Sequence, residues 1–191
     1  MPTEIVLAYE PRPLQVEIHR GMDSHRWGAV VCHRRAGKTV CGLWHLQIAA
    51  LTSTRERARY AFISPTYSQG KSIGWDYLTA FSAAVPGVKV KVSELSIDYP
   101  NGAQVRIYGA DNPDSLRGLY FDGVVLDEYG MMPSKLFGEV IRPALSDRQG
   151  WALFMGTPAG RNQFYETCQR ARTDPEWYFA EYRASETGIL D

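Results

Sequence analysis

The sequence contains no run of about 18 consecutive apolar residues, the length a helix needs to cross a bilayer, and no charged-then-apolar leader of the secretory type opens it. A membrane span and export are thereby set aside, and a soluble, unexported protein is expected. Cysteine is scarce. Cys32, Cys41 and Cys168 are odd in number and show neither CxxC spacing nor a paired histidine motif. That argues against a disulfide framework or a zinc site and suits a reducing compartment; Cys41 and Cys168 read as small buried apolar residues. Excess charge of one sign is missing too, since 21 Lys and Arg balance 21 Asp and Glu. The chain therefore lacks the overall basic character of many nucleic-acid binders, and any such contact must be local or shared with another subunit. The balance is uneven: the first sixty residues lean basic, whereas the last eighteen set Asp174, Glu176, Glu181, Glu186 and Asp191 against Arg183 alone. No internal repeat, low-complexity tract or linker is visible.

What is present is enough apolar material, 45% of 191 residues, for one globular domain with a sizeable core. Short apolar runs predict strands over 26–32, 59–64, 88–92, 95–99, 103–108, 123–126, 151–155 and 177–182. Helices are expected over 38–51, within 67–84, around 134–145 and over 161–172, with a loop or short helix over 111–118. In the first helix Leu43, Trp44, Ile48 and Leu51 recur at helical spacing. Pro100-Asn101-Gly102 marks a hairpin turn between two of the strands. Strands alternating with helices predict an α/β sandwich with a mostly parallel central sheet flanked by helices, plus an antiparallel hairpin insertion.

The stretch VVCHRRAGKTV, residues 30–40, lies between a predicted strand and a predicted helix. It fits the phosphate-binding pattern GxxxxGK[ST] with Cys32 in place of the first glycine and with Gly37, Lys38 and Thr39 kept. That first position turns the chain out of the strand, so a small residue serves there if its backbone angles stay ordinary. The loop Cys32, His33, Arg34, Arg35, Ala36, Gly37, Lys38 and Thr39 is the candidate nucleotide cradle: amides wrap the phosphates, Lys38 reaches the β and γ groups and the Thr39 hydroxyl ligates magnesium. Arg34 and Arg35 add two permanent cations, which suit a polyanion.

A nucleotide hydrolase also needs a carboxylate for its metal and a base for water, expected on a strand beside the loop. GVVLDEYG supplies both, about ninety residues after the loop. Asp127 is the candidate magnesium ligand and Glu128 the candidate base for the attacking water. The adjacent glutamate favours hydrolysis over phosphoryl transfer to a small acceptor, and turnover over a nucleotide-switched binding module.

Together PRPLQ, CHRRAGKT, DSLRGLYFDGVVLDEYG and FMGTPAGRN, in this order and spacing, resemble the ATPase domain of the large terminase subunit of tailed bacteriophages, from Pro11 to about Tyr165. The resemblance implies a P-loop NTPase fold of the ASCE/RecA-like kind and an ATP hydrolase, with ATP and Mg2+, that drives double-stranded DNA into the procapsid. It implies like subunits in a ring, partnership with the portal protein and the small terminase subunit, and residence in the host cytoplasm and transiently at the portal vertex. Arg34 is similar to the residue held to stabilise or sense the γ-phosphate in cis. Arg117, ten residues before Asp127, is similar to an arginine supplied to a neighbour's site, and which of the two serves as the arginine finger stays open. Gln15, seventeen residues before Cys32, resembles an adenine reader. Thr157, within MGTPAG, resembles the sensor of a coupling motif.

Complete large terminases continue into a nuclease domain, so residues 1–191 are expected to be a single ATPase domain without DNA cleavage. The alternative with the same core is a helicase-like or other DNA-stimulated P-loop ATPase. Lys89, Lys91, Arg106, Arg142 and Arg148 are candidates for a DNA-facing patch, each more readily read as ordinary surface charge.

Overall fold

The structure is a computed structural model that describes residues 9–187; Asp191, part of the acidic lean of the terminus, lies outside them. An eight-stranded sheet forms its middle layer, in the order β3-β4-β5-β2-β6-β7-β1-β8. The strands are β1 Trp27–Cys32, β2 Arg59–Ser64, β3 Lys89–Lys91, β4 Ser96–Asp98, β5 Gln104–Gly109, β6 Gly123–Leu126, β7 Trp151–Gly156 and β8 Trp177–Tyr182. From β5 to β8 all neighbours pair in parallel, and β3 and β4 pair antiparallel at one edge. The expected hairpin turn at Asn101 is present, and the Asn101 amide also donates to the carbonyls of Ala50, Leu51 and Ser53, stopping the helix that follows β1.

Side chains alternate along each parallel strand, so one sheet carries two cores. Val30, Phe62, Val125, Leu153 and Met155 face one core, which α1 (Pro13–Ser24), α2 (Lys38–Thr52) and α4 (Trp75–Ser82) cover. Ala29, Ile63, Val124, Leu126 and Phe154 face the other, under α5 (Arg142–Ser146) and α6 (Gln163–Thr173). Between β2 and α4 the chain forms α3 (Tyr67–Gln69) and a π turn, Gly70–Gly74. There Gly70 is demanded by space, since an added Cβ would lie 2.7 Å from Ile107 Cγ2. A second π turn, Phe137–Ile141, precedes α5.

Three expectations need correction. Helix α1 was not among the predicted elements, although Pro13 at its first turn and Leu14, Ile18 and Met22 on one buried stripe specify it. Helix α2 is buried around most of its circumference, including His45 and Gln47, because α1 and α4 flank it above the sheet. Of its expected stripe Leu43 and Trp44 are buried, while Ile48 stays 39% exposed. The carboxylate strand β6 does not neighbour β1, because β7 is inserted between them.

The packing of α1 on α2 brings two histidines together. His19 and His45 stack with ring centroids 5.3 Å apart and Nδ1 atoms 3.1 Å apart, and Trp151 closes the far side of His45. Burial first, and then the neighbouring His19, push the His45 pKa down to about 3. The folded chain therefore keeps His45 neutral where the unfolded chain protonates it, and stability is lost as pH falls below about 6.5. Between pH 7 and pH 5 this group alone removes about 2 kcal/mol. The variant His45→Gln should lose correspondingly less stability over that interval, read from urea midpoints at the two pH values.

Candidate active site

All the parallel strands end at one edge of the sheet, and the loops after β1, β6 and β7 meet there. The first leaves β1 at Cys32, whose backbone is ordinary and whose side chain is fully buried. Burial pushes that thiol up to about 12, with Lys38 opposing, so it stays neutral and contributes packing rather than chemistry. Arg35 and Gly37 adopt left-handed backbone, φ 65° and 86°, and turn the chain into α2 at Lys38. Ala36 is buried beneath the loop, whereas Arg34 and Arg35 are exposed above it. His33 Nδ1 bonds the Arg34 carbonyl at 2.6 Å, and its Nε2 lies 2.8 Å from Thr187 Oγ1.

Helix α1 holds this loop from behind. Gln15 Nε2 donates to the Gly37 carbonyl at 3.0 Å, and Gln15 Oε1 accepts from the Arg12 amide at 2.9 Å. Arg12 itself donates to the Arg35 carbonyl at 3.2 Å. Two loop carbonyls are thus engaged on the α1 side. Gln15 is 4% exposed and clamps the loop with one N–H and one lone pair of its amide, which leaves a second donor and a second acceptor beyond these two bonds.

The second half of the site arrives on β6 and β7. Asp127 Oδ2 accepts from the Thr39 hydroxyl at 2.7 Å, while Oδ1 is buried without a partner among the described residues. Burial is the largest cause that raises the Asp127 pKa, to about 6; the Thr39 bond opposes it and the adjacent Glu128 adds to it. Glu128 turns through φ 52°, a conformation that costs a non-glycine residue about 1 kcal/mol and places its carboxylate in the cleft. There its oxygens lie 3.4 Å from Lys38 Nζ, 3.3 Å from the Thr157 amide and 3.4 Å from the Thr157 hydroxyl. Lys38 Nζ also reaches Thr157 Oγ1 at 3.3 Å and the His33 carbonyl at 3.4 Å. Insertion of β7 between the two halves is what delivers Thr157 to both.

Lys38, Thr39 and Glu128 border a cleft of about 540 Å³ whose lining also includes Arg12, Arg34, Arg35, Val40, Ile73 and Tyr77. Sequence reasoning missed Arg12, Val40, Ile73 and Tyr77; Arg12 was visible inside PRPLQ, and Ile73 and Tyr77 stand four residues apart on successive helical turns. Arg117 is not among the residues lining the cleft. It is exposed and paired at 2.9 Å with Asp114 of its own turn.

Residues 33–187 match the family described as the N-terminal part of the T4likevirus-type large terminase subunit. This chain belongs to that family. Terminase large subunits of Thermus phage G20c and Escherichia phage T5 are 32% and 25% identical to it, over 84% and 87% of the chain. The chain spans only 36% and 39% of those proteins' lengths. Among solved structures, the large terminase ATPase domain of Thermus phage P74-26 superposes with a TM-score of 0.76 at 26% identity, covering 92% of this chain and 82% of that one. The large terminase of a thermophilic bacteriophage, solved in complex with ADP, gives 0.77 at 16% identity, over 94% of this chain and 47% of that one. The fold is the P-loop NTPase fold of the terminase ATPase domains.

Within this terminase fold the five basic candidates for a DNA-facing patch separate. Arg148 pairs with the buried Asp122 at 2.8 Å, beside Arg55 at 2.9 Å, and so pins the loops at the amino edge of the sheet. Lys91 pairs with Asp98 at 2.8 Å, and Arg106 lies 3.8 Å from Glu94. Lys89 and Arg142 are exposed.

Because Asp127 is held in a site that disfavours its charge, removing that charge should stabilise the ligand-free chain. Asp127→Asn is expected to raise stability at pH 7.5 by about 1 to 3 kcal/mol while abolishing magnesium-dependent nucleotide binding. Denaturant titration and equilibrium binding check the two halves.

Proposed function

We propose that this chain is the ATP-hydrolysing engine of a viral DNA-packaging motor and couples hydrolysis of Mg-ATP to translocation of double-stranded DNA into a procapsid. The observation that carries the reading is the Thr39–Asp127 hydrogen bond together with the unpartnered Asp127 Oδ1. A hydroxyl from the loop and a buried carboxylate with a spare oxygen make the hard oxygen donor set that magnesium takes. When bound, the cation neutralises charge on the β and γ phosphate oxygens.

The rest is the work of the chain's own groups. Lys38 leaves Glu128 for the phosphates, and the long contacts it now makes are ones a triphosphate can replace. Glu128, released from Lys38, orients the attacking water and takes its proton. Thr157, bonded to Glu128 through both amide and hydroxyl, holds that carboxylate in line and carries its position to the segment after β7. Arg34 lines the cleft from its own chain and stabilises terminal-phosphate charge in cis. Arg117, exposed and outside the cleft, leaves Asp114 on this plan to serve a neighbouring subunit in a ring. Catalysis on this plan is positioning and electrostatics, with no covalent intermediate. Its partners are duplex DNA, the portal protein, the small terminase subunit and further copies of itself, in the host cytoplasm and at the portal vertex.

Phosphate release and equilibrium nucleotide binding test the assignment. Glu128→Gln should lower turnover by about 100-fold or more with nucleotide affinity unchanged or tighter, because Lys38 is then freed in advance. Equal rates for wild type and Glu128→Gln would remove Glu128 as the base.

A further inference from the structure

Glu128 needs more than its carboxylate contacts to keep its backbone in the left-handed region, because a non-glycine residue stays there only where its surroundings over-determine it. Past Glu128 the chain makes a single 3-10 turn, Tyr129–Met131, closed by the Met131 amide donating to the Glu128 carbonyl at 2.9 Å. Packing grips this turn at Tyr129, whose ring lies 4.8 Å from Phe154, and again at the buried Met132. It does not grip the tip, where Gly130 has no side chain and Met131 is 66% exposed.

Two consecutive residues at the start of α6 hold the turn instead. Gln163 Nε2 donates to the carbonyls of Tyr129 at 2.9 Å and Met132 at 2.6 Å. Asn162 Nδ2 donates to the carbonyls of Gly130 and Ala159, both at 3.2 Å, while its Oδ1 caps α6 by accepting from the Phe164 and Tyr165 amides at 3.1 Å. The approach is close enough to demand glycine: a Cβ at Gly130 would lie 2.6 Å from Asn162 Nδ2. Ala159 belongs to the loop that carries Thr157, whose amide and hydroxyl meet the Glu128 carboxylate. One segment, 157–163, therefore grips Glu128 twice, by its side chain through Thr157 and by its following turn through Asn162 and Gln163.

We propose that Asn162 and Gln163 are positioning residues for hydrolysis: their amides fix the turn after Glu128, and so aim its carboxylate, without themselves touching nucleotide. The inference rests on reading Glu128 as the water-activating base. Neither amide is among the groups lining the cleft, so their effect on the reaction has to pass through the turn they hold. An amide suits the task because its NH2 group carries two donors and can span two carbonyls at once, which a single hydroxyl cannot do. Reaction geometry is sensitive to displacements of about 1 Å. A loosened turn therefore costs rate while the phosphate loop, on a different strand, keeps its hold on the nucleotide.

The test is steady-state phosphate release and equilibrium ATP binding, each with magnesium, for wild type, Asn162→Ser, Gln163→Met, Glu128→Gln and the two double variants that add Glu128→Gln. Serine keeps a helix-capping oxygen and methionine keeps the side-chain stem, so each change is aimed at the donors; thermal unfolding confirms that every variant is folded. Asn162→Ser and Gln163→Met should each lower kcat by about tenfold or more, with KM and ATP affinity within about twofold of wild type. On top of Glu128→Gln neither should lower the rate by more than about twofold further, because the group they position is already gone. The proposal is overturned if either single variant turns over as wild type does, if ATP affinity falls along with kcat, or if the same loss of rate recurs in the Glu128→Gln background, as a general structural defect would produce. Glu128→Gln alone separates the two readings. Turnover equal to wild type removes the base itself, whereas a slow Glu128→Gln beside a wild-type-like Asn162→Ser removes only the positioning role.

Discussion

One buried carboxylate organises the carboxyl edge of this sheet. Asp127 sits where water cannot solvate it, with one oxygen satisfied by Thr39 and the other by nothing in the described chain. Ion burial of that kind is unfavourable unless compensated. Here the compensation inside the protein is incomplete: the Thr39 bond and the charge of Lys38 favour ionisation, but burial outweighs them. The site is thus left with a demand for positive charge, which the proposed divalent cation would meet.

Glu128 is the complement of that arrangement. It follows Asp127 directly, yet its left-handed backbone sends its carboxylate toward Lys38 and Thr157. Two adjacent acids consequently have different surroundings, one dry and bonded to a hydroxyl, the other partly exposed and bridged to an ammonium group. Division of labour between neighbouring carboxylates needs such a difference, because two equivalent acids would compete for the same proton and the same cation. The strand order supplies it, since only with β7 between β1 and β6 does Thr157 stand within reach of both Lys38 and Glu128.

Much of this was legible in the residues because the signals are local. A strand, a GlyLysThr loop and a helix follow one another within 26 positions, Trp27 to Thr52, and an apolar run ending in AspGlu needs no partner to be seen. What escaped depends on neighbours distant in sequence. Helix α1 has a readable stripe, but Gln15 becomes a loop clamp only because α1 packs beside α2. The near-total burial of α2, the π turns beside Gly70 and in 137–141, and the capture of Arg148 by Asp122 likewise require the assembled sheet. Tyr77 carries no signal of its own in the sequence, and only the folded chain shows that this exposed ring lines the cleft.

The hold of Arg12 and Gln15 on the carbonyls of Arg35 and Gly37 has a kinetic side. A glycine-containing loop left to itself samples many shapes, and a ligand must then wait for the right one or induce it. Here two loop carbonyls are tied to α1, so the loop has fewer shapes to sample, and the pace at which the proposed nucleotide loads would follow diffusion and charge rather than the slow rearrangement of a floppy segment.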